Sequence, residues 1–238
     1  MLKKYREFNA IFILIFIVQL LSESDTLKEI FLFGNVHFFV KPAITLSLFL
    51  LLLFRTGLKG RFAKRIGLGL FFGLVGDVML MLPDDQELFF TLGLVAFLIG
   101  HIFYILAFYL DYSLNKDLHK IYTKNAIIAY AFYTVLFCVG LFSHLGPLKI
   151  PVAIYGVVIS VMGVMAVNRF GRVSSQSFKL VFVGSLLFVL SDSVLAINKF
   201  AYDFKGSGFI IMGTYMLAQY AITIGGIERK IKKKIEDI

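Results

Sequence analysis

Of 238 residues, one is cysteine, four are proline and none is tryptophan. The single thiol, Cys138, excludes an intrachain disulfide and a cysteine metal site. It lies in an apolar run and reads as a small buried hydrophobe. Charge is also scarce: 16% of the residues are Asp, Glu, Lys or Arg, against about 25% in soluble domains. No polar stretch is long enough to form a separate soluble domain. What remains is 59% hydrophobic and includes 27 phenylalanines. The whole chain, 1–238, is therefore predicted to be a single transmembrane domain, an all-α polytopic helix bundle.

Apolar stretches of about 20 residues predict about eight transmembrane helices. They fall near 6–22, 38–55, 65–82, 87–110, 125–145, 149–168, 178–198 and 208–227. The start, MLKKYREF followed by apolar Asn9–Leu21, resembles a signal peptide. Ser22-Glu23-Ser24-Asp25 then offers no small-x-small cleavage pattern, so a retained first helix is expected. The breaks alternate in charge. Lys3, Lys4 and Arg6, then Arg55 to Arg65, Lys116 to Lys124, Arg169 to Lys179 and Arg229 to Lys234 hold 19 of the 24 basic residues. The other side holds only Lys28, Lys41, Lys149, Lys199 and Lys205. By the positive-inside rule both termini are expected to be cytoplasmic, in the inner membrane if the source is bacterial. The net charge of +9 is thus a topology signal rather than a sign of nucleic-acid binding. The basic tail reads as a flank against anionic membrane lipid, and no protein partner is indicated.

One carboxylate interrupts the apolar stretch Gly69–Pro83, GLFFGLVGDVMLMLP: Asp77. A charge at the centre of a spanning helix costs about 2.5–3.5 kcal/mol on insertion scales, which makes it a functional candidate. The pattern returns in Gly184–Asn198, GSLLFVLSDSVLAIN, with Asp192 eight residues after Gly184 as Asp77 is eight after Gly69. The two stretches align without gaps. Gly100-His101 and Ala218-Gln219 follow at comparable places, and Pro42 has a loose counterpart in Pro151. This suggests two four-helix units in a parallel 4+4 tandem repeat, near 36–110 and 149–227, with both aspartates roughly 9–10 Å from the non-cytoplasmic end. Chance similarity between apolar helices is the competing reading. Gly69 and Gly73 form a small-xxx-small motif that favours a central position for the Asp77 helix.

Other polar residues fall at matching depths: Lys41, His101, Tyr155, Ser185, Ser191, Lys199, Tyr215 and Gln219. Each has a structural reading beside the functional one. Lys41 and Lys199 can snorkel to the interface. His101 can be a helix–helix hydrogen-bond partner. Tyr155 and Tyr215 can be packing tyrosines, the stronger reading for Tyr155. Ser191 is better suited to bonding backbone or Asp192 than to nucleophilic attack, since it lacks an elbow motif. The four histidines, His37, His101, His119 and His144, fall on both sides of the membrane, which argues against a zinc site. Two facing carboxylates do support acid-catalysed hydrolysis. Such a pair titrates as a unit, one member protonating the substrate and the other activating water.

Several stretches together carry a resemblance. They are Lys41-Pro42, Gly76-Asp77 through Met81-Leu82-Pro83, Gly100-His101, Ser191-Asp192-Ser193 with Ala196-Ile197-Asn198, and Thr214-Tyr215 with Ala218-Gln219. In order and spacing the chain resembles the YhhN-like lysoplasmalogenase family of integral membrane enzymes. Lys199 stands where the family often has arginine, and Met216 interrupts a frequent double tyrosine; both leave substrate preference open. The resemblance implies hydrolysis of the vinyl ether bond of lysoplasmalogens to a long-chain aldehyde and a glycerophospho-ethanolamine or -choline. It implies lysophospholipid and water as partners and neither a metal nor an organic cofactor. Asp77 and Asp192 would divide the acid and base roles, and Lys41 would hold the phosphate. His101, Ser191, Asn198, Tyr215 and Gln219 would orient the carboxylates, water and glycerol hydroxyl. Two alternatives stay open: a proton-coupled transporter or scramblase of small lipids, and a hydrolase of another lyso-lipid.

Overall fold

The structure, a computed structural model, describes residues 2–23, 31–82, 88–114, 116 and 118–232. Among these it is helical throughout. The α-helices are α1 (Arg6–Ser22), α2 (Phe31–Thr56), α3 (Gly60–Met79), α4 (Leu88–Tyr112), α5 (Lys120–Leu141), α6 (Lys149–Val167), α7 (Ser175–Ala196) and α8 (Ser207–Ile227). They correspond one to one with the expected segments, with ends moved by up to seven residues. Six of them contain a window long and apolar enough to cross a membrane. The other two are α1, with 17 residues, and α3, which carries Arg61, Lys64 and Arg65 in its first turns. The chain reads as an integral membrane protein. The expected loop at Pro83–Glu87 and the basic residues Lys28, Lys233 and Lys234 lie outside the described residues.

Helix ends follow local chemistry. The Ser174 side chain caps α7 by accepting from the Ser177 amide. Gly146-Pro147-Leu148 forms a single 3-10 turn between α5 and α6. Helix α7 does not stop cleanly. It runs into a π-helical turn, Ile197–Ala201, closed by the Tyr202 amide on the Ile197 carbonyl at 3.1 Å. Such widened turns recur at functional sites.

The closest helix pairs are α3 with α4 and α7 with α8. Both depend on glycine at the crossing. A Cβ on Gly69 would stand 2.3 Å from the Tyr104 ring, and one on Gly184 would stand 3.0 Å from the Ala218 carbonyl. The two glycines matched in the sequence alignment therefore serve the same packing purpose. Helix α3 also touches α2 and α8, the central position expected of the Asp77 helix. The main core runs through Leu48, Ile66, Leu70, Phe108, Met216 and Ile222. Helix α5 is peripheral, exposing Ile128, Phe132, Val135 and Val139. Cys138, on this helix, is half-exposed rather than buried as expected.

The ends of α4, α6 and α8 are tied by an ionic cluster. Asp111, 0% exposed, accepts from Arg169 Nε at 2.7 Å and Arg229 Nε at 2.6 Å. Arg169 also donates to the Ser177 hydroxyl and carbonyl at 2.8 and 3.2 Å. Both guanidinium groups lie over the Phe62 ring. The segment after α8 is pinned alongside, with the Lys232 amide on the Arg172 carbonyl and the Ser174 amide on the Lys230 carbonyl. At the same end Glu228 accepts from Lys4 at 2.5 Å and from Tyr5.

Candidate active site

The two aspartates are held by different neighbours. Asp77, near the end of α3, is 1% exposed. Its Oδ2 accepts from Tyr215 of α8 at 2.7 Å and from Thr45 of α2 at 2.9 Å. Gln219, one turn beyond Tyr215, donates its amide to the Tyr215 hydroxyl at 3.2 Å. The Gln219 carbonyl accepts from Tyr104 of α4 at 2.6 Å. Lys41, one turn before Thr45, interacts electrostatically with Asp77.

Asp192, on α7, has a side chain 15% exposed. Its Oδ2 accepts from Tyr155 of α6 at 2.5 Å. His101 Nε2 stands 3.9 Å from the same oxygen, beyond hydrogen-bonding distance. Neither ring nitrogen of His101 has a hydrogen-bond partner, although the residue is 2% exposed and its ring lies near the Phe97 carbonyl. Aromatic rings fix the imidazole plane: Phe188 at 5.0 Å and Tyr155 at 5.5 Å, both edge-on. Buried polar atoms without partners are uncommon and call for an explanation.

An apolar cavity opens beside Asp192. Its walls come from α4 (Phe90, Leu94, Phe97), α5 (Tyr133, Phe137), α6 (Val152, Tyr155) and α7 with its π turn (Asp192, Ser193, Phe200). Its volume is about 40 Å³, room for a few waters at roughly 10–15 Å³ each. Tyr133 and Ser193 hydrogen bond on its wall at 2.6 Å. Lys199, in the π turn, lies 4.6 Å from the centre of the Phe90 ring, another wall residue. Among the described residues no three His, Cys, Asp or Glu side chains gather as metal ligands.

The expected site residues thus divide into three groups. Asp192 and His101 come together, with Tyr155 hydrogen-bonded to the first and edge-on to the second. Asp77, Tyr215 and Gln219 form a second set, with Lys41 acting on it from a turn away. Ser191 and Asn198 belong to neither. Ser191 donates to the Ile211 carbonyl at 3.0 Å, and the Asn198 side chain accepts from the Phe204 amide at 3.4 Å. Both stabilise the α7–α8 connection. The aspartates do not bond to one another; each has its own phenol. Helix α4 supplies the histidine beside Asp192, and α8 supplies the tyrosine on Asp77. Sequence reasoning missed Thr45 and Tyr104 and underrated Tyr155. Thr45 stands one turn after Lys41, but a contact with Asp77, 32 residues away, has no local signal.

The model of the YhhN family matches residues 36–226, a range containing both aspartates and the cavity. The chain is 30% identical to human lysoplasmalogenase TMEM86A over 175 residues, 71% of this chain and 67% of the relative. It is 31% identical to human lysoplasmalogenase TMEM86B over 160 residues, 67% and 62% of the two chains. Bovine lysoplasmalogenase TMEM86A is 27% identical over 179 residues, 74% and 69%. No solved structure matches the chain.

Proposed function

The chain belongs to the YhhN family, and we propose that it is a membrane-embedded hydrolase that cleaves the vinyl ether bond of lysoplasmalogens. The observation that carries this reading is a carboxyl group on the wall of a cavity lined by apolar side chains, with room for water beside it. A long alkenyl chain needs the apolar wall, and its enol ether needs a proton donor. The relatives named as lysoplasmalogenases supply the substrate class.

The chemistry requires one proton cycle. A carboxyl transfers its proton to the β-carbon of the double bond, leaving an oxocarbenium ion and a carboxylate. Water adds to the cationic carbon, and the carboxylate takes the proton that water loses. The resulting hemiacetal breaks its C–O bond to the glycerol, whose oxygen regains a proton. The products are a long-chain aldehyde and glycerophospho-ethanolamine or -choline. The nascent carboxylate also stabilises the cation in a site with little water. Asp192 faces the cavity, and Asp77 supports turnover from within the Tyr215–Thr45 set. Lys199 lies against the wall residue Phe90, seven residues or roughly 10 Å beyond Asp192, a span that suits the distance from an enol ether to the phosphate of the same lysolipid.

The whole chain works as one membrane domain in this reading. The gathering of Lys4, Arg55, Arg169, Arg172 and Arg229 at one end of the bundle supports cytoplasmic termini.

Product analysis tests the reaction. Detergent-purified protein is incubated with lysoplasmenylethanolamine and, separately, with an ester lysophospholipid. Free aldehyde from the first substrate is expected, and Asp192→Asn is expected to lower its rate about 10²–10⁴-fold. Fatty acid from the second, without aldehyde, moves the reaction to another lyso-lipid bond. Neither product from folded protein rejects the hydrolase, and liposome uptake then tests transport.

A further inference from the structure

We infer that only Asp192 meets the lipid, and that Asp77 is a positioning residue that never touches it. The inference rests on the proposed lysolipid site and deepens it. Asp192 and Tyr155 are part of the cavity wall, whereas Asp77, Tyr215 and Gln219 are not. Asp77 is 1% exposed, and α2, α8 and the rest of α3 close around it. Phe97 forms the partition. It lines the cavity on one side and stands edge-on to Tyr215, ring centres 5.8 Å apart, on the other.

One carboxyl is sufficient for the proton cycle. Asp192 gives up its proton to the β-carbon and, as the carboxylate, recovers one from the attacking water. Two features suit it to both steps. Its Oδ2 carries the Tyr155 hydroxyl, which stabilises the carboxylate once the proton has left. The unpartnered Nε2 of His101 stands 3.9 Å behind the same oxygen. A small shift of either side chain closes that gap when charge develops.

Asp77 acts at a distance along a series of contacts. It fixes the Tyr215 hydroxyl, which receives the Gln219 amide, whose carbonyl holds Tyr104. The Tyr104 ring lies 6.5 Å from the His101 ring. Asp77 therefore reaches the imidazole behind Asp192 through Tyr104, one of the three rings around it, without meeting substrate.

Labelling the unmodified protein in detergent with a hydrophobic carbodiimide tests the assignment. The reagent adds across its C=N bond to an accessible carboxylic acid, giving an O-acylisourea that rearranges to a stable N-acylurea, with nothing lost. Peptide mapping locates the adduct. The expected result is label on Asp192, none on Asp77, and protection of Asp192 by a saturated alkyl-ether lysophospholipid that has no vinyl group to hydrolyse. Label on Asp77 to a comparable extent overturns the assignment, as does label on Asp192 that the lipid leaves unchanged, or label on neither. Because the probe lipid is inert, the result is separate from the reaction: protected Asp192 with no aldehyde in the product assay keeps the assignment and rejects the vinyl ether chemistry. In kinetics, Asp77→Asn is expected to lower kcat about tenfold per folded molecule with KM for the lysolipid unchanged. A purely structural role would change yield and leave kcat alone, and direct contact with substrate would move KM.

Discussion

Helix α4 carries parts of two buried polar clusters that differ in almost every respect. Asp111, near its end, has each carboxylate oxygen on a guanidinium, and those guanidiniums find further partners in Ser177 and the Phe62 ring. His101, ten residues earlier and about 15 Å away along the axis, has no hydrogen bond to another side chain and stands off from the carboxylate it faces. The first cluster is saturated, with both carboxylate oxygens paired. The second is open to a cavity and has unused donors and acceptors. In a membrane protein both sets are expensive to bury, and saturation separates the two purposes. A lock uses every partner, while a site keeps some free for what binds there.

The largest effect expected from this contrast is at the lock. Asp111→Asn leaves the buried Arg169 and the half-buried Arg229 without their counter-ion. Removing one partner of a buried pair costs about 3–5 kcal/mol. The thermal midpoint in detergent is expected to fall steeply, while the folded fraction keeps its kcat. Loss of kcat in the surviving folded protein would connect the two clusters and blur the comparison.

At the site the sign reverses. His101→Phe replaces an unpartnered imidazole by a ring of similar size in a cage formed by Phe188, Tyr155 and Tyr104. Leaving a buried polar group unsatisfied costs about 1–3 kcal/mol, so the variant is expected to melt higher than the parent. Turnover of the vinyl ether substrate is expected to fall about tenfold at the same time. A variant that melts lower would show that His101 has a structural partner, and the distinction between lock and site would fail for this residue.

The two clusters were also unequally legible in the sequence. The site could be seen because Asp77 and Asp192 interrupt long apolar stretches in the same pattern, and a charge in such a place is conspicuous. The helices were visible for the same reason, since hydropathy marks a span well. Helix ends were less visible: α3 begins at Gly60, five residues ahead of expectation, because its first turn is basic and sits outside the apolar stretch. The lock was invisible. Arg169 and Arg229 looked like ordinary members of the basic flank, and Asp111 sits close to the end of its helix, where a carboxylate draws no notice. Only the convergence of α4, α6 and α8 brings the three together. Tyr155 was underrated for a similar reason. An aromatic residue near a helix end reads as packing until its hydroxyl is found on Asp192. The facing carboxylate pair was inferred from equal depth, but depth leaves rotation about each helix axis undetermined, and rotation directs Asp77 to Tyr215 and Asp192 to Tyr155.

The smallest effect lies at the rim of the lock, where Glu228 accepts from Lys4 and Tyr5. Partial burial raises the Glu228 carboxyl, but the hydrogen bonds from Lys4 and Tyr5 outweigh it and hold the group below its ordinary range. A carboxyl lowered on folding adds stability above its unfolded value, about 4.3 for glutamate. That stability disappears as the pH falls through the lower native value. The Lys4 side chain is 53% exposed, so screening keeps the contribution within about 1 kcal/mol. Thermal midpoints of the parent and Glu228→Gln, measured in detergent from pH 7 down to pH 3, are expected to differ slightly at pH 7 and to converge at the acid end. A gap that widens on acidification would mean that the native carboxyl is raised instead. The rim would then hold a carboxyl that its partners do not saturate, unlike the Asp111 lock it adjoins.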